Sequence, residues 1–378
     1  MKVLFPFVGD SVGGSHWSAI NLYKELSARP GITPVVVLHT LDGPLSQFLN
    51  NYNVPYKLLP LELLAGRTPS LPSIVFSIIR SSYLIFRFIK NNDIDIVHGN
   101  DLRINLTWSF PTLLTHSKYV WHQRQKLSGS IKWRAIKYLS NYVLSISNYV
   151  HNSLPVNINS NSKACINNPF DVSNLNEKQL SRERINSTYN ISSSDILIGY
   201  VGRLVSWKHV EDILYALSSA IFSDCSNKIH FLIAGTGDNE YIKKLEAIID
   251  SEKLGNHITM TGFVDNPSLI LSSLDLFVAS SHNEPFGRVL IESMLQKTLV
   301  LASNSGGHIE IVSHGVNGFW YTVSSVKSMS NMILKIISDK NKNEKIINTA
   351  YNFSVANYST VTHTDTVVSI YKSLVKYK

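Results

Sequence analysis

The sequence has few cysteines and no long uncharged apolar run. Only Cys165 and Cys225 occur in 378 residues, and their separation fits neither a disulfide scaffold nor a zinc motif. A reducing compartment, the cytoplasm, is therefore expected. The most apolar stretch, residues 71–92, is interrupted by three basic residues, which disfavours a transmembrane span. The N-terminal "MKVLFPFVGDSVGG" is too short an apolar segment for a signal peptide and predicts a buried first strand.

Acidic residues are scarce in the first half of the chain. Residues 1–171 hold 16 Lys+Arg against 8 Asp+Glu, and the remaining residues hold 19 of each, so the whole net charge of +8 lies in the first half. Such asymmetry predicts an anionic partner, which is a membrane surface, a phosphorylated substrate or nucleic acid. No interleaved aromatic and basic motif supports nucleic acid. Arg80, Arg87 and Lys90 belong to an apolar segment that fits either an anionic membrane interface or a buried helix.

Length and apolar patterning predict the architecture. The chain is too long for one ordinary core. Short Val/Ile/Leu-rich runs such as "TPVVVLHT", "DILIGYVG" and "LDLFVAS" alternate with helix-length segments, which is typical of parallel sheets covered on both faces. We predict an α/β protein with two doubly wound domains. The predicted parts are a first domain over 1–173, a linker over 174–194, a second domain over 195–360 and a C-terminal helix over 361–378 that packs back on the first domain.

The residues that follow the strands are the candidates for ligand binding, because open α/β sheets bind ligands beyond the carboxyl ends of their strands. After the first strand, Gly13 and Gly14 precede a helix whose N–H groups either hold an anion or only form a tight turn. The loop is not GxGxxG, so no dinucleotide site is predicted. "DID" at Asp93 to Asp95 precedes its strand and lies at the wrong end for a ligand. No metal-ligand cluster follows a strand, and no metal is expected.

Two cations follow a strand of the second half. In "YVGRLVSWKHVEDILYAL", Arg203 comes directly after the strand and Lys208 stands at the start of an amphipathic helix. Paired charge-assisted hydrogen bonds from two such cations suit a diphosphate. The alternative is that both are isolated surface charges.

"HNEPFGRVLIES" places Glu284 and Glu292 eight positions apart around a Pro-Phe-Gly turn. If the helix begins near Pro285, Glu292 lies about two turns up, and eight helical residues rise about 12 Å. That is roughly the reach from the sugar to the ribose of a nucleotide sugar whose diphosphate meets the helix N-terminus. Carboxylates accept hydrogen bonds from vicinal hydroxyls. The alternative is that Glu284 complements the helix dipole while Glu292 is solvated.

The same segment resembles the E-x7-E motif of the retaining glycosyltransferases of family four, which have the GT-B fold of two Rossmann-like domains facing each other across a cleft. The family commonly has "EPFGxxxxEAM", and "EPFGRVLIESM" departs from it only at Ser293. The likeness extends to the glycine loop, "GRLVSWK", "FLIAGTGDNEYIKKL", "ITMTGFV" and "SNSGGHIEIVSHGVNGF". Two other departures are His209, where a glycine is usual after the lysine, and His308 within "GGHIEIV".

The resemblance implies a role for each matching residue. Arg203 and Lys208 would clamp the donor diphosphate, Glu284 would hold hydroxyls of the transferred sugar, and Glu292 would bind the ribose. The implied donor-binding set is Gly13, Gly14, Arg203, Lys208, Phe263, Glu284, Phe286, Gly287 and Glu292.

Two further residues of the first half match less specifically. His122 in "YVWHQRQ" resembles the histidine that the family places near the donor sugar, and it fits a satisfied strand-end histidine equally well. With it, the implied catalytic set is Arg203, Lys208, Glu284 and His122. Asp101, after "DIVHGN", is a candidate on the acceptor side.

The activity that the resemblance implies is transfer of a hexose, with retention, from a nucleotide-diphosphate sugar to a glycan or lipid-linked glycan acceptor. It would proceed by front-face attack without a metal, in polysaccharide biosynthesis at the cytoplasmic face of the membrane. Two alternatives share the architecture. One is a nucleotide-sugar epimerase, and the other is a noncatalytic scaffold protein in a membrane complex.

Overall fold

The structure, a computed structural model, divides into two compact units. The first comprises Met1–Asp171 and Thr360–Lys378, and the second comprises Val172–Ser359. Cys165 forms no disulfide with any described residue, and Cys225 lies outside the described residues. The residues that the structure describes are 1–61, 71–129, 131–173, 175–223 and 229–375.

The first unit contains a seven-stranded sheet. Its strands are β1 (Lys2–Phe7), β2 (Thr33–Leu38), β3 (Tyr56–Leu58), β4 (Ile96–Gly99), β5 (Lys118–Gln123), β6 (Tyr142–Ser145) and β7 (Lys163–Cys165). Their spatial order is β3-β2-β1-β4-β5-β6-β7, and every neighbouring pair is parallel.

Helices cover both faces of this sheet. In the part of the chain before residue 172 they are α1 (Gly14–Ser27), α2 (Pro44–Asn51), α3 (Leu71–Asn91), α4 (Leu102–Leu113), α5 (Ile136–Leu139) and α6 (Asn148–His151). Successive side chains of β1 point to opposite faces of the sheet. Phe5 joins the cluster that contains Ile20 of α1, whereas Leu4 joins the cluster that contains Ile85 of α3 and Trp108 of α4.

The second unit contains a six-stranded sheet. Its strands are β8 (Ile196–Val201), β9 (Ile229–Ala234), β10 (Ile258–Gly262), β11 (Leu276–Ala279), β12 (Leu299–Ser303) and β13 (Phe319–Tyr321). All pairs are parallel, in the order β10-β9-β8-β11-β12-β13. The direction of winding reverses between β8 and β11, which is where open α/β sheets bind ligands.

The remaining helices complete the two units. They are α7 (Lys178–Tyr189), α8 (Val210–Ser223), α9 (Asn239–Ser251), α10 (Pro267–Ser273), α11 (Arg288–Leu295), α12 (His308–Ile311), α13 (Val326–Ser338), α14 (Lys340–Tyr358) and α15 (Thr360–Val375). The segment 174–194, predicted as a linker, contains α7. Arg182 of α7 pairs with Asp275 at 2.9 Å, which fixes this helix to the second unit. The last helix, α15, places Val367 and Tyr371 in a core of the first unit.

The two parallel sheets with alternating helices confirm the predicted α/β fold class. Among the residues that the structure describes, no helix has both the length and the apolar content that crossing a bilayer requires.

Candidate functional site

The predicted cations and Glu284 lie on two loops that leave adjacent strands of the second sheet. Arg203 and Lys208 are in the loop from β8 to α8, and Glu284 is in the loop from β11 to α11. Because β8 and β11 are neighbours in a parallel sheet, both loops leave the same edge, at the reversal of winding.

Lys208 and Glu284 form an ion pair with 2.6 Å between Nζ and Oε2, and their side chains are only 18% and 14% exposed. The hydroxyl of Ser280 donates to the backbone oxygen of Lys208 at 2.7 Å, which fixes the two loops to each other. Burial alone would raise the pKa of Glu284, but the charges of Lys208 and His308 and the hydrogen bonds from Lys208 and Ser281 together outweigh burial and leave this pKa below its ordinary value. Glu284 is therefore a carboxylate at neutral pH.

Arg203 differs from Lys208 in its surroundings. Its side chain is exposed, while its backbone oxygen accepts a hydrogen bond from the hydroxyl of Tyr200 at 2.9 Å. No acidic partner contacts its guanidinium within the described residues. In this loop the charge of Lys208 is neutralised by Glu284, whereas Arg203 is available to an anion.

Glycines allow the backbone to approach closely at Glu284. A Cβ on Gly306 would lie 2.6 Å from the backbone oxygen of Glu284, and a Cβ on Gly307 would lie 2.7 Å from the Cα of Phe286. The Gly307 N–H also donates to the Glu284 oxygen at 2.8 Å. Larger residues at these positions would separate the loop after β12 from the loop that carries Glu284.

Helix α11 starts later than the sequence predicted. Gly287 caps it in a left-handed conformation, with φ 102°, and Arg288 rather than Pro285 opens the helix. Glu292 therefore lies about one turn above the helix start, and the rise of about 12 Å that eight helical residues would give does not apply. The first turn carries no acidic residue, and no side chain caps it, so its N–H groups suit an anion.

Glu292 is one-third exposed and pairs with Arg288, with 3.2 Å between Oε1 and Nη2. Burial of the guanidinium lowers the pKa of Arg288, yet an arginine remains charged at any physiological pH. Arg288 was not among the residues predicted from the sequence. The i, i+4 spacing of Arg288 and Glu292 on a helix could have indicated it.

The two predicted aromatic residues occupy different environments. Phe286 is buried and packs edge-on against Tyr358 at 5.9 Å, which leaves only its backbone for ligand contact. Phe263 follows edge strand β10 and is 74% exposed. Strands β9 and β8 lie between β10 and β11. About 14 Å therefore separates β10, which precedes Phe263, from β11, which precedes Glu284.

The remaining predicted residues lie in the first unit. Gly13 is the N-cap of α1, Gly14 is its first residue, and nothing lies within 4 Å of the position of a Cβ on Gly13. The Gly13 N–H donates to Nδ1 of His16 at 3.0 Å. The first turn of α1 has no acidic residue, which leaves this helix end accessible to an anion.

Asp101 has a structural task. As the N-cap of α4 it accepts hydrogen bonds from the backbone N–H groups of Arg103 and Ile104 at 2.7 and 3.1 Å. Arg103 forms a bidentate pair with Asp10 at 2.6 and 2.9 Å, and its hydrogen bond lowers the pKa of Asp10. The cap occupies one carboxylate oxygen of Asp101, so its acceptor-side role remains a prediction.

His122 is the penultimate residue of β5 and is fully buried. Its Nδ1 lies 3.3 Å from Nη2 of Arg124 and 3.0 Å from Nε2 of His98. Because a guanidinium only donates, Nδ1 of His122 must accept and its proton must sit on Nε2. Then Nε2 of His98 donates, and Nδ1 of His98 accepts from the hydroxyl of Tyr371 in α15.

This chain of contacts leaves one donor unused. Burial, strengthened by the charge of Arg124, holds the pKa of His122 well below its ordinary value, so the ring is neutral. Its Nε2 has no hydrogen-bond partner in the described part of the chain. His122 is therefore a buried histidine whose Nε2–H group has no acceptor among the described residues.

The structure also brings together residues that the sequence analysis did not combine. His209, Asp212 and His282 have ligand atoms that all lie within 4.8 Å of one another. The statement that no metal-ligand cluster follows a strand was wrong, because these residues follow two strands about 70 positions apart in sequence. The adjacency of β8 and β11 unites them.

Comparisons with known proteins relate the chain to glycosyltransferases. Residues 181–353 match the family model described as glycosyl transferases group 1, which is just under half of the chain. An uncharacterized glycosyltransferase of Methanocaldococcus jannaschii is 29% identical over 208 residues, which cover 54% of this chain and 50% of that protein. A capsular polysaccharide biosynthesis glycosyltransferase, CapM of Staphylococcus aureus, is 25% identical over 173 residues and 44% of each chain. The chain spans about half the length of the curated relatives it matches.

Solved structures match over the whole chain. Anabaena HepE in complex with UDP and glucose has a TM-score of 0.84 at 21% identity, covering 99% of this chain and 100% of that one. A glycosyltransferase from Rickettsia africae has a TM-score of 0.82 at 22% identity, covering 100% and 99%. At these identities the likeness establishes the fold, which is that of the GT-B glycosyltransferases.

Proposed function

We propose that this chain, whose second unit carries a glycosyl transferases group 1 domain, is a retaining glycosyltransferase of family four. It would move a hexose from a nucleotide-diphosphate sugar to a glycan or lipid-linked glycan acceptor, without a metal ion. HepE, which has the same fold, was solved with UDP and with UDP-glucose, and this supports a uridine nucleotide as the first donor to test.

The observation that carries the proposal is the Lys208–Glu284 pair at the reversal of winding. A lysine that is held by a carboxylate keeps its ammonium in place until a phosphate competes for it. The adjacent N-terminus of α11 and the unpaired Arg203 supply further positive potential at the same edge. The released Glu284 carboxylate is then free to accept hydrogen bonds from sugar hydroxyls.

The reaction requires stabilisation of a departing nucleoside diphosphate. Arg203 and Lys208 would meet the charge that develops on the leaving oxygen, which is electrostatic catalysis by groups positioned beforehand. The acceptor hydroxyl would attack the anomeric carbon on the side that the diphosphate leaves, through an oxocarbenium-like state, so configuration is retained. The bond from that carbon to the diphosphate oxygen breaks, and this oxygen takes the proton of the acceptor hydroxyl. His122 would donate its Nε2 proton in a hydrogen bond to the donor sugar.

A screen of donor hydrolysis with several nucleotide sugars tests the activity. Release of the nucleoside diphosphate from one donor supports a transferase. Conversion of the sugar to its epimer with the diphosphate ester intact would identify an epimerase. Neither turnover nor binding of any donor would indicate a noncatalytic scaffold protein.

The donor site predicts the behaviour of two single substitutions. Lys208→Ala and Glu292→Ala should each lower donor affinity or turnover at least about tenfold, because a charge-assisted hydrogen bond contributes about 1.5 to 3 kcal/mol. Calorimetry with the donor or its nucleoside diphosphate measures this. Lys243→Ala, which removes an exposed lysine of α9, is the matched control. Unchanged affinity in both site variants would refute the assignment.

Stereochemistry and metal dependence test the finer parts of the proposal. The anomeric configuration of the product, read by NMR, should equal that of the donor, and activity should persist in EDTA. An inverted product excludes family four. Loss of activity in EDTA that manganese restores excludes the metal-free mechanism.

A lipid-linked acceptor requires access to a membrane, and the first unit carries a suitable surface. Helices α3 and α4 pack together and expose apolar side chains, among them Tyr83 (58%), Leu106 (55%) and Phe110 (53%). The exposed bases Arg87 and Lys90 lie on the same helix as Tyr83. Neither helix sequence contains an acidic residue. This apolar and basic combination fits an anionic lipid surface.

A further inference from the structure

The two loops of the donor site contain a second cluster of polar side chains, made of His209, Asp212 and His282. His209 follows Lys208 directly, Asp212 lies in the first turn of α8, and His282 stands two residues before Glu284. All three are half-buried, and their ligand atoms lie within 4.8 Å of one another.

The contacts within the cluster are unusually close. The imidazole rings of His209 and His282 stack with centroids 3.4 Å apart and planes 6° from parallel. Nε2 of His282 lies 3.1 Å from Oδ2 of Asp212.

The backbone holds His209 in place at some cost. Its φ is 51°, in the left-handed region that favours glycine, and its backbone oxygen accepts a hydrogen bond from Asp212 N–H at 3.2 Å.

We propose that His209, Asp212 and His282 bind one divalent transition-metal cation of the zinc type, which links the loop of Lys208 to the loop of Glu284. Two imidazoles and one carboxylate are a known ligand set for Zn²⁺, and they leave one position for water. Hard cations such as Mg²⁺ prefer oxygen ligands and are disfavoured. Because a ligated cation lies in the plane of each imidazole, one of the two stacked rings turns out of the stack on binding.

The cation has a structural effect on the donor loops and takes no part in the transfer. Its ligands flank Lys208 on one loop and Glu284 on the other, so binding adds a cross-link beside the existing ion pair. This site does not depend on the proposed function, because binding of the metal can be measured without any donor or acceptor.

Calorimetric titration of the chelator-treated full chain with Zn²⁺ tests the proposal. We expect one ion per chain, and His209→Gly and His282→Ala should each weaken its affinity at least about tenfold, since loss of even an outer-sphere contact costs 10-fold to 100-fold. Glycine suits the φ of residue 209, so His209→Gly keeps the loop conformation. Thermal unfolding without metal verifies that both variants are folded.

Matched controls separate this cluster from other zinc ligands. His116→Ala removes an exposed imidazole of the first unit, and Cys165→Ser removes the thiol of Cys165. Both variants should bind Zn²⁺ as the unaltered chain does. Saturating Zn²⁺ should also raise the unfolding temperature of the unaltered chain and fail to raise that of His209→Gly. Absence of Zn²⁺ binding, or equal affinity in both cluster variants, overturns the proposal.

Discussion

Glu284 remains ionised in a largely buried position because Lys208 is within 2.6 Å. The residue types and their order indicated both groups, since a cation at the start of one helix and a glutamate before another follow neighbouring strands. What the sequence could not indicate is that they bind each other before any ligand does. That contact depends on the adjacency of β8 and β11, which is a property of the fold.

The pair predicts how stability depends on pH. A carboxyl whose pKa is lowered on folding stabilises the native state above its unfolded pKa of about 4.3, and this contribution is lost as pH falls through the lower folded pKa. Glu284→Gln should therefore unfold at lower urea concentration at pH 7 and lose less stability on acidification than the unaltered chain. Glu246→Gln, which alters an exposed glutamate of α9, should leave the pH dependence unchanged. An equally steep acid loss in Glu284→Gln would contradict the account.

His122 shows a second residue-scale effect, the choice of tautomer. The resemblance indicated this residue, but only the contacts with Arg124 and His98 determine which nitrogen carries the proton. The hydroxyl of Tyr371 completes the chain from α15, some 250 positions later in sequence. No local pattern reveals so distant a partner.

Nitrogen-15 NMR of histidine-labelled protein tests the tautomer. His122 should be protonated on Nε2 with Nδ1 as acceptor, and its resonances should not titrate between pH 5 and 8 because burial lowers its pKa. Tyr371→Phe removes the donor to His98 and should shift the His98 tautomer signals while the fold remains. An Nδ1-protonated His122 would eliminate the proposed hydrogen bond to the donor sugar.

At the scale of elements, the apolar runs "TPVVVLHT", "DILIGYVG" and "LDLFVAS" coincide with β2, β8 and β11. Strand β3, whose sequence is "YKL", contains no such run. It is short and mostly exposed, so neither length nor apolar content distinguishes it from a loop. The error at α11 has a different cause. Proline is favoured at the first turn of a helix, which placed the predicted start at Pro285. The left-handed backbone of Gly287 delays the helix, which begins at Arg288.

Gly287 is therefore expected to be intolerant of a side chain. Gly287→Ala places a Cβ 2.9 Å from the ring of His308, at a φ of 102° that L-residues rarely adopt. The free energy of unfolding should fall by about 1 to 3 kcal/mol, measured by urea denaturation. Gly255→Ala is the control, since nothing lies within 4 Å of its added Cβ. Equal stability of the two variants would show that the turn before α11 adapts.

At the scale of the whole molecule, the net charge of +8 belongs to one half of the sequence. Composition indicated an anionic partner for that half without identifying it. The structure adds that α3 and α4 pack together, that both helices expose apolar side chains, and that α3 also exposes Arg87 and Lys90. The absence of acidic residues from both helix sequences can be read directly from the amino-acid sequence. The packing of α3 against α4 cannot, because it depends on the fold.

Co-sedimentation with vesicles tests whether this surface meets a membrane. Each Lys or Arg near an anionic leaflet contributes about 1 kcal/mol, so replacing Arg80, Arg87 and Lys90 by glutamine should reduce partitioning by roughly two orders of magnitude at low salt. Binding of the unaltered chain should decline as added salt shortens the Debye length from about 10 Å to about 3 Å.

The control for charge alone replaces three exposed lysines of the second unit by glutamine, namely Lys243, Lys327 and Lys345. This variant has the same net charge as the first one. It should sediment with anionic vesicles nearly as the unaltered chain does, because the attraction depends on where the charges lie and not on their sum. Donor hydrolysis should be unaffected in both variants, since neither set contacts Lys208 or Glu284.

Equal loss of binding in the two variants would assign the effect to net charge. Equal binding of the unaltered chain to neutral and anionic vesicles would instead indicate a soluble acceptor, and the basic half would then serve to bind that acceptor's own charge.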